Sequence, residues 1–198
     1  MLIEPLSIEG VLSVQPVVHG DDRGCFLEWF RADRFEQTTG HRFDLRQANC
    51  SVSSRGTTRG IHFADVPPGQ AKYVTCPQGA ILDVAVDLRV GSPSFGQWCS
   101  RELNSDNREA LYLPEGIGHA FMSLVDDSVV VYLCNEPYAP TREHAVNALD
   151  PEIGITWPRE IEPLLSAKDE AAPTLREALA QGLLPDYPTC RAHTASMP

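Results

Sequence analysis

Arg59 and His62 in Arg59-Gly60-Ile61-His62, Lys72 ten residues on, and Tyr132 in Val129-Val130-Val131-Tyr132 are side chains whose types together suit one reaction. Each lies in or beside a segment that alternates like a strand, where every second side chain points inward. A base, two cations and a phenol brought together inside one barrel suit proton abstraction next to a carbonyl.

The elements that must position them follow from the turn signals. Residues 11–18 and 43–54 read as strands, with a short helix over Asp33–Gly40 between them, stopped by Gly40. From residue 70 to 135 the chain is dense in short strands: Ala71–Cys76, Ala80–Val90, Gln97–Leu103, Ala110–Leu113, Ala120–Leu124 and Ser128–Cys134. Turn-like segments such as Pro77-Gln78-Gly79, Gly91-Ser92-Pro93 and Asp126-Asp127 separate them. Short strands at this spacing predict a mainly β, double-sheet jelly-roll barrel. The Pro114-x-Gly116-x-x-His119 turn adds to it, because Pro and Gly set the turn and the His then starts a strand at the barrel mouth. One domain over 1–198 is expected, with its core barrel over about 11–160. A Pro-rich, acidic extension follows over about 161–198, with a helix at Pro173–Gly182 capped by Thr174 and a frayed last dozen residues.

Composition excludes several classes. Hydrophobic residues make up 42% of the 198 and charged residues 22%, as in ordinary folded proteins. The net charge of −11 opposes nucleic-acid or anionic-membrane binding as the main task, though clustered Arg and Lys still suit a small anion. No apolar run is long enough to span a bilayer, and Met1–Pro5 lacks the features of a signal peptide. A cytoplasmic location is expected. Six cysteines without C-x-x-C pairing read as free thiols. A metal-binding barrel strand would carry paired histidines, whereas Ile61-His62-Phe63-Ala64-Asp65 carries one. His62 and His119 with a carboxylate remain a weaker facial alternative; a metal-free barrel is the better reading.

Taken singly, each residue has a plainer role. His62 reads as a satisfied core or surface histidine, Tyr132 as core with one hydroxyl hydrogen bond, and Lys72 as an edge-strand gatekeeper. Arg89 with Asp83 and Asp87 reads as a structural ion-pair network along one strand. His19, His41, His144 and His193 receive no role. The joint pattern lifts the first three above these readings.

Over about residues 5–185 the chain resembles the dTDP-4-dehydrorhamnose 3,5-epimerase family. The resemblance rests on Asp22-Arg23-Gly24-x-Phe26-x-Glu28, Gln47-x-Asn49-x-Ser51, Arg59-Gly60-Ile61-His62, Gln70-x-Lys72 and Asp83-x-x-x-Asp87-x-Arg89-x-Gly91-Ser92-Pro93-Ser94-Phe95-Gly96. It continues through Pro114-x-Gly116-x-x-His119-x-Phe121, Tyr132, Tyr138-x-Pro140-x-x-Glu143, Asp150-Pro151-x-x-x-Ile155-x-Trp157-Pro158 and Leu165-Ser166-x-Lys168-Asp169.

The resemblance implies a metal-free, cofactor-independent, cupin-like isomerase acting on a 4-keto-6-deoxyhexose attached to dTDP. It implies His62 as base with Asp169 as its orienting carboxylate, Lys72 facing the C4 oxygen, and Tyr132 as proton donor on the other face of the sugar. Arg59, Arg23 and Lys168 then contact the diphosphate and nucleotide region. Gln47, Asn49, Glu28, His119 and Glu143 match polar substrate contacts, and Phe26 and Tyr138 match aromatic positions near thymine. The Arg23–Glu28 segment is expected to reach a partner's barrel in a homodimer with shared sites. Two departures, Ala64 after Phe63 and Ala120 after His119, bear on which centre is inverted. Epimerisation at C3 and C5 is expected first, a single-centre 3-epimerase (or 5-epimerase) second, and a non-catalytic nucleotide-sugar binding module third.

Overall fold

The computed structural model describes residues 1–197, which form thirteen strands and four helices. In chain order they begin with β1 (Leu2–Pro5), β2 (Leu12–Gln15), β3 (Val18–Asp21), β4 (Gly24–Leu27) and α1 (Ala32–Thr39). Next come β5 (Gln47–Ser53), β6 (Thr58–Ala64), β7 (Lys72–Gln78), β8 (Ala80–Asp87) and β9 (Trp98–Asn104). The barrel ends with β10 (Ala110–Leu113), β11 (Ile117–Ser123), β12 (Ser128–Cys134) and β13 (Glu143–Ala145). Three helices follow: α2 (Ala167–Glu170), α3 (Leu175–Ala180) and α4 (Tyr187–Ala195).

Two antiparallel sheets make a jelly roll. One has the order β1-β2-β10-β7-β12-β5 and the other β13-β6-β11-β8-β9, while β3 and β4 pair only with each other. Strand alternation divides the apolar residues into three layers. Val74, Cys76, Leu111, Leu113 and Val130 of the first sheet meet Ile81, Ala85, Leu103, Ile117 and Phe121 of the second, forming the core between the sheets. Ile61, Phe63, Val84, Val86 and Ala120 point the opposite way, into a layer closed by Val146, Ile153, Leu175 and Ala178 of the C-terminal segment. On the outside of the six-stranded sheet, Tyr73, Ala110, Tyr112 and Leu133 pack with Phe35 of α1 and with Phe43.

The helix expected at Asp33–Gly40 is α1, stopped by Gly40 in the left-handed region at φ 80°. The helix expected at Pro173–Gly182 is α3, and Thr174 and Glu177 form its capping box. Three expectations need correction. The segment 11–18 breaks into β2 and β3, because the chain leaves the six-stranded sheet after Gln15 to build the separate hairpin. The sheet also begins earlier than residue 11, since β1 already pairs with β2. Residues 187–195 are helical rather than frayed: Asp186 caps α4 through the Thr189 N–H, Cys190 is buried, and the Tyr187 ring lies 5.2 Å from the Arg89 guanidinium carbon.

One glycine decides whether β6 and β11 can pair. Gly60 sits at φ +114°, and an added Cβ would lie 2.4 Å from the His119 carbonyl oxygen and 2.7 Å from the Ala120 methyl. Neither neighbour is a flexible chain end, so the strands would have to separate. Gly60→Ala is expected to lower unfolding free energy by about 2 kcal/mol or more, measured by urea denaturation.

Candidate functional site

With Ile61 and Phe63 in the outer layer, His62 faces the space between the sheets. Its register partner across β6 and β11 is His119. On the other sheet Tyr132 pairs with Asn49, and Cys134 pairs with both Lys72 and Gln47. Half of the barrel interior is therefore apolar and half polar. β5 supplies the polar wall, because Gln47, Asn49, Ser51 and Ser53 share its inward face.

The His62 ring is held from outside the barrel. Its Nε2 donates to Asp169 Oδ1 at 2.7 Å, and Ser166 Oγ donates to Asp169 Oδ2 at 2.9 Å. Ser166 also caps α2 by accepting from the Asp169 N–H at 3.1 Å. Both carboxylate oxygens thus have a donor, and with Nε2–H committed the lone pair of His62 is on Nδ1. Burial pushes the Asp169 carboxyl up, but the His62 and Ser166 hydrogen bonds and the His62 and Lys168 charges outweigh it. The group is held below its ordinary 3.8.

Lys72 is buried with no carboxylate within salt-bridge distance. Burial lowers its pKa, and the Cys134, Glu143 and Asp83 groups raise it only in part. Burial also raises the Tyr132 pKa, with Cys134 and Glu143 adding to the rise and Arg59 opposing it. The phenol accordingly stays protonated through neutral pH. Cys134 and Glu143 thus act on both Lys72 and Tyr132. Cys134 itself is pushed up to about 11 by burial, so its thiol is neutral.

The structure therefore links His62 to Asp169 and to His119, Tyr132 to Asn49, Lys72 to Gln47 through Cys134, Arg59 to Ser53, and Glu143 to Ala64. Arg59 Nη2 donates to Ser53 Oγ at 3.4 Å, Gln47 Nε2 to Asn49 Oδ1 at 2.8 Å, and the Tyr138 N–H to Gln47 Oε1 at 2.8 Å. Lys168 is exposed beside Asp169, and the Tyr138 ring is exposed above Gln47. Arg23, Phe26 and Glu28 are not gathered with them. Phe26 on β4 is 67% exposed, and among the described residues Arg23 pairs only with Asp21 and Glu28 only with Arg31.

Two readings of single residues change. Arg89 does pair with Asp87, at 2.8 Å, but Asp83 leaves that network. Asp83 faces inward from β8 and accepts from His119 Nε2 at 2.6 Å, making a second His–carboxylate pair. Alternation along one strand cannot show which partner a neighbouring strand presents. Ala120 does not border the cavity either; its methyl lies in the outer layer against Gly60. Ala64 pairs with Glu143 and stays near the site. Ser166 and Ser51 carried no sequence role beyond their motifs. Ser51 Oγ and Asp83 Oδ2 are buried without a protein hydrogen-bond partner. Among the described residues no group of three or more His, Cys, Asp or Glu side chains has metal-binding geometry, and no helix is long and apolar enough to cross a membrane.

The depressed Asp169 pKa has a signed consequence. The stability it contributes is complete above the unfolded value of 3.8 and is lost as pH falls through the lower folded value. Asp169→Asn should therefore be less stable than the parent protein at pH 6, and the difference should shrink as pH drops below 3.8, measured by urea unfolding across that range.

The family model described as dTDP-4-dehydrorhamnose 3,5-epimerase matches residues 5–177. A dTDP-4-dehydro-6-deoxyglucose 3-epimerase from a Streptomyces species is 56% identical over 185 residues, covering 93% of this chain and 94% of that protein. A dTDP-4-dehydrorhamnose 3,5-epimerase of Mycolicibacterium smegmatis is 53% identical over 197 residues, covering 100% of this chain and 97% of the relative. The solved structure of a 3'-monoepimerase from Streptomyces bikiniensis in complex with dTDP-quinovose superposes with a TM-score of 0.96 at 53% identity, covering 98% of each chain. With the jelly roll and its polar half in place, this chain belongs to the dTDP-4-dehydrorhamnose 3,5-epimerase family.

Proposed function

We propose that the protein inverts C3 and C5 of dTDP-4-keto-6-deoxy-D-glucose by removing and returning the proton beside the C4 ketone. The observation that carries this reading is that His62, its ring held by Asp169, faces the space between the sheets, while the other sheet carries Tyr132 on β12 and the buried Lys72 on the neighbouring β7. His62 Nδ1 takes the proton from carbon and becomes an imidazolium, which the Asp169 carboxylate stabilises. The electrons move into the C4 carbonyl, whose developing oxyanion is met by Lys72 in a poorly hydrated setting, where a charge acts strongly. Tyr132 returns a proton to the opposite face of the same carbon, and the ketone re-forms. One proton leaves and one arrives, so the step calls on no oxidant or reductant.

Binding divides along the same lines. Arg59, Arg23 and Lys168 serve the diphosphate, for which the planar Arg fork is well shaped. Gln47, Asn49, Glu28, His119 and Glu143 hold hydroxyls, and Phe26 and Tyr138 stack on thymine. The separate β3–β4 hairpin, with Phe26 and Arg23 turned to solvent, supports a homodimer in which each hairpin completes the neighbouring site. Val52, 61% exposed on the edge strand β5, extends the apolar surface available for such pairing. A 3-epimerase is the second reading, favoured by the Streptomyces relative of that name.

Proton NMR in D2O with dTDP-4-keto-6-deoxyglucose tests the reading. Exchange of both C3–H and C5–H with two inverted centres is expected. Loss at C3 alone would assign the 3-epimerase, and no exchange despite dTDP binding would sink the catalytic reading. His62→Asn should abolish exchange at both carbons while dTDP binding persists. Tyr132→Phe should slow net inversion more than it slows proton exchange, and equal losses would make Tyr132 structural. Turnover should survive EDTA; a chelator-sensitive enzyme would revive the alternative in which His62 and His119 hold a metal.

A further inference from the structure

Glu115 is a buried carboxyl that none of these steps uses. It occupies the middle of the Pro114-Glu115-Gly116 turn, is 2% exposed, and leaves Oε2 without a protein partner. Its Oε1 accepts from Asn135 Nδ2 at 2.5 Å, and Asn135 Oδ1 accepts from the Ala71 backbone N–H at 2.7 Å. Ala71 immediately precedes Lys72. We infer that Glu115 and Asn135 form a positioning clamp that fixes the start of β7 and thereby aims the Lys72 ammonium; the inference rests on the reading of Lys72 as the enolate cation.

Register explains why these two residues hold that point. Lys72 pairs with Leu113 at the end of β10 and with Cys134 at the end of β12. Just beyond those ends, Glu115 and Asn135 join to each other over the peptide that leads into Lys72. Further ties come from Gln70 Nε2, which donates to the Glu136 carbonyl at 3.1 Å, and from Gly69, where an added Cβ would lie 2.4 Å from Glu115 Cγ. Residues 69–71 are thus fastened at three consecutive positions, while Lys72 has no counter-ion of its own. A flexible four-carbon amine without a fixed partner is aimed by its backbone, and the rigidity of that backbone decides where the charge falls.

The chain has only two lysines, Lys72 and Lys168, so ε-13C-lysine NMR gives two signals, and Lys168→Arg identifies which is which. In the parent protein the Lys72 signal should titrate below an ordinary lysine. In Asn135→Ala it should shift back upward as water enters the loosened strand end. Turnover should fall ~10-fold or more, with KM within about twofold, because diphosphate binding lies elsewhere. Glu115→Gln keeps an acceptor oxygen for Asn135 Nδ2 and should retain both the titration and the turnover. If Asn135→Ala fails to fold, Glu115→Leu combined with Asn135→Leu removes the clamp with apolar groups of similar size and should give the same shift and loss.

A purely structural role would lower the melting temperature and leave the Lys72 titration in place. A folded clamp variant with unchanged titration and unchanged kcat overturns the inference. Lys72→Met separates the two levels. If it keeps full turnover, the reading of Lys72 falls and the clamp's catalytic purpose falls with it. If it is inactive while the clamp variants match the parent in both measurements, the clamp alone is wrong.

Discussion

The hydrogen bond between His62 and Asp169 joins residues 107 positions apart, and much of the structure depends on it. A base facing into a barrel must be steadied from outside, since anything placed inside competes with substrate for space. Asp169 meets that requirement because the C-terminal segment folds back over the outer face of the five-stranded sheet. Leu164 pairs with Thr57 at the start of β6, and Leu175 and Ala178 complete the apolar layer beneath. The Leu175 N–H donates to Asp150 Oδ2 at 2.6 Å, which anchors the start of α3. The Pro-rich extension is therefore what keeps the Asp169 carboxylate against the His62 imidazole.

A second constraint is the polar half of the interior. Buried Lys72, Asp83 and His119 would each be costly alone, and the fold meets the cost unevenly. His119 meets one oxygen of Asp83 and leaves Oδ2 without a protein partner, whereas Lys72 receives only distant compensation. An ammonium that is poorly compensated by the protein gains most from a negative charge arriving beside it. That asymmetry favours an oxyanion over a neutral carbonyl, which is what transition-state stabilisation requires. The apolar half, from Val74 to Phe121, gives the two sheets a rigid spacing, so opposed groups cannot drift together or apart.

Much of this was legible in the sequence, for identifiable reasons. Strand periodicity and turn residues exposed the jelly roll, whereas the grouping of His62, Lys72 and Tyr132 came from their joint pattern and the family resemblance, since each taken singly read as core, surface or edge-strand residue. Asp83 was misread because Arg89 and Asp87 offered a nearer partner, and only the pairing of β8 with β11 presents His119 to it. Ala120 carried a parity error of another kind: its outward methyl is evident only once Val84, Val86 and Ile61 are seen in the same layer. Ser166 was hidden by its brevity of signal, since a four-residue helix has little periodicity for a cap to announce. α4 was hidden for the opposite reason. Its stability comes from Cys190 packed near Gly116 and from Tyr187 against Arg89, contacts with residues 74 and 98 positions earlier.

The distribution of scarce cations ties these features to substrate choice. In a chain of net charge −11, seven of the fourteen arginines pair with a carboxylate, among them Arg23, Arg31, Arg42, Arg46 and Arg89. Arg59, Lys72 and Lys168 have no carboxylate within salt-bridge distance among the described residues, and all three border the polar end of the barrel. An acidic surface repels anions in general, so an anion is drawn only where unpaired cations outweigh it. The same arrangement separates binding from chemistry. Arg59 and Lys168 are exposed and Lys72 is buried, so on the proposed reading the nucleotide is gripped without quenching the charge that meets the keto-sugar.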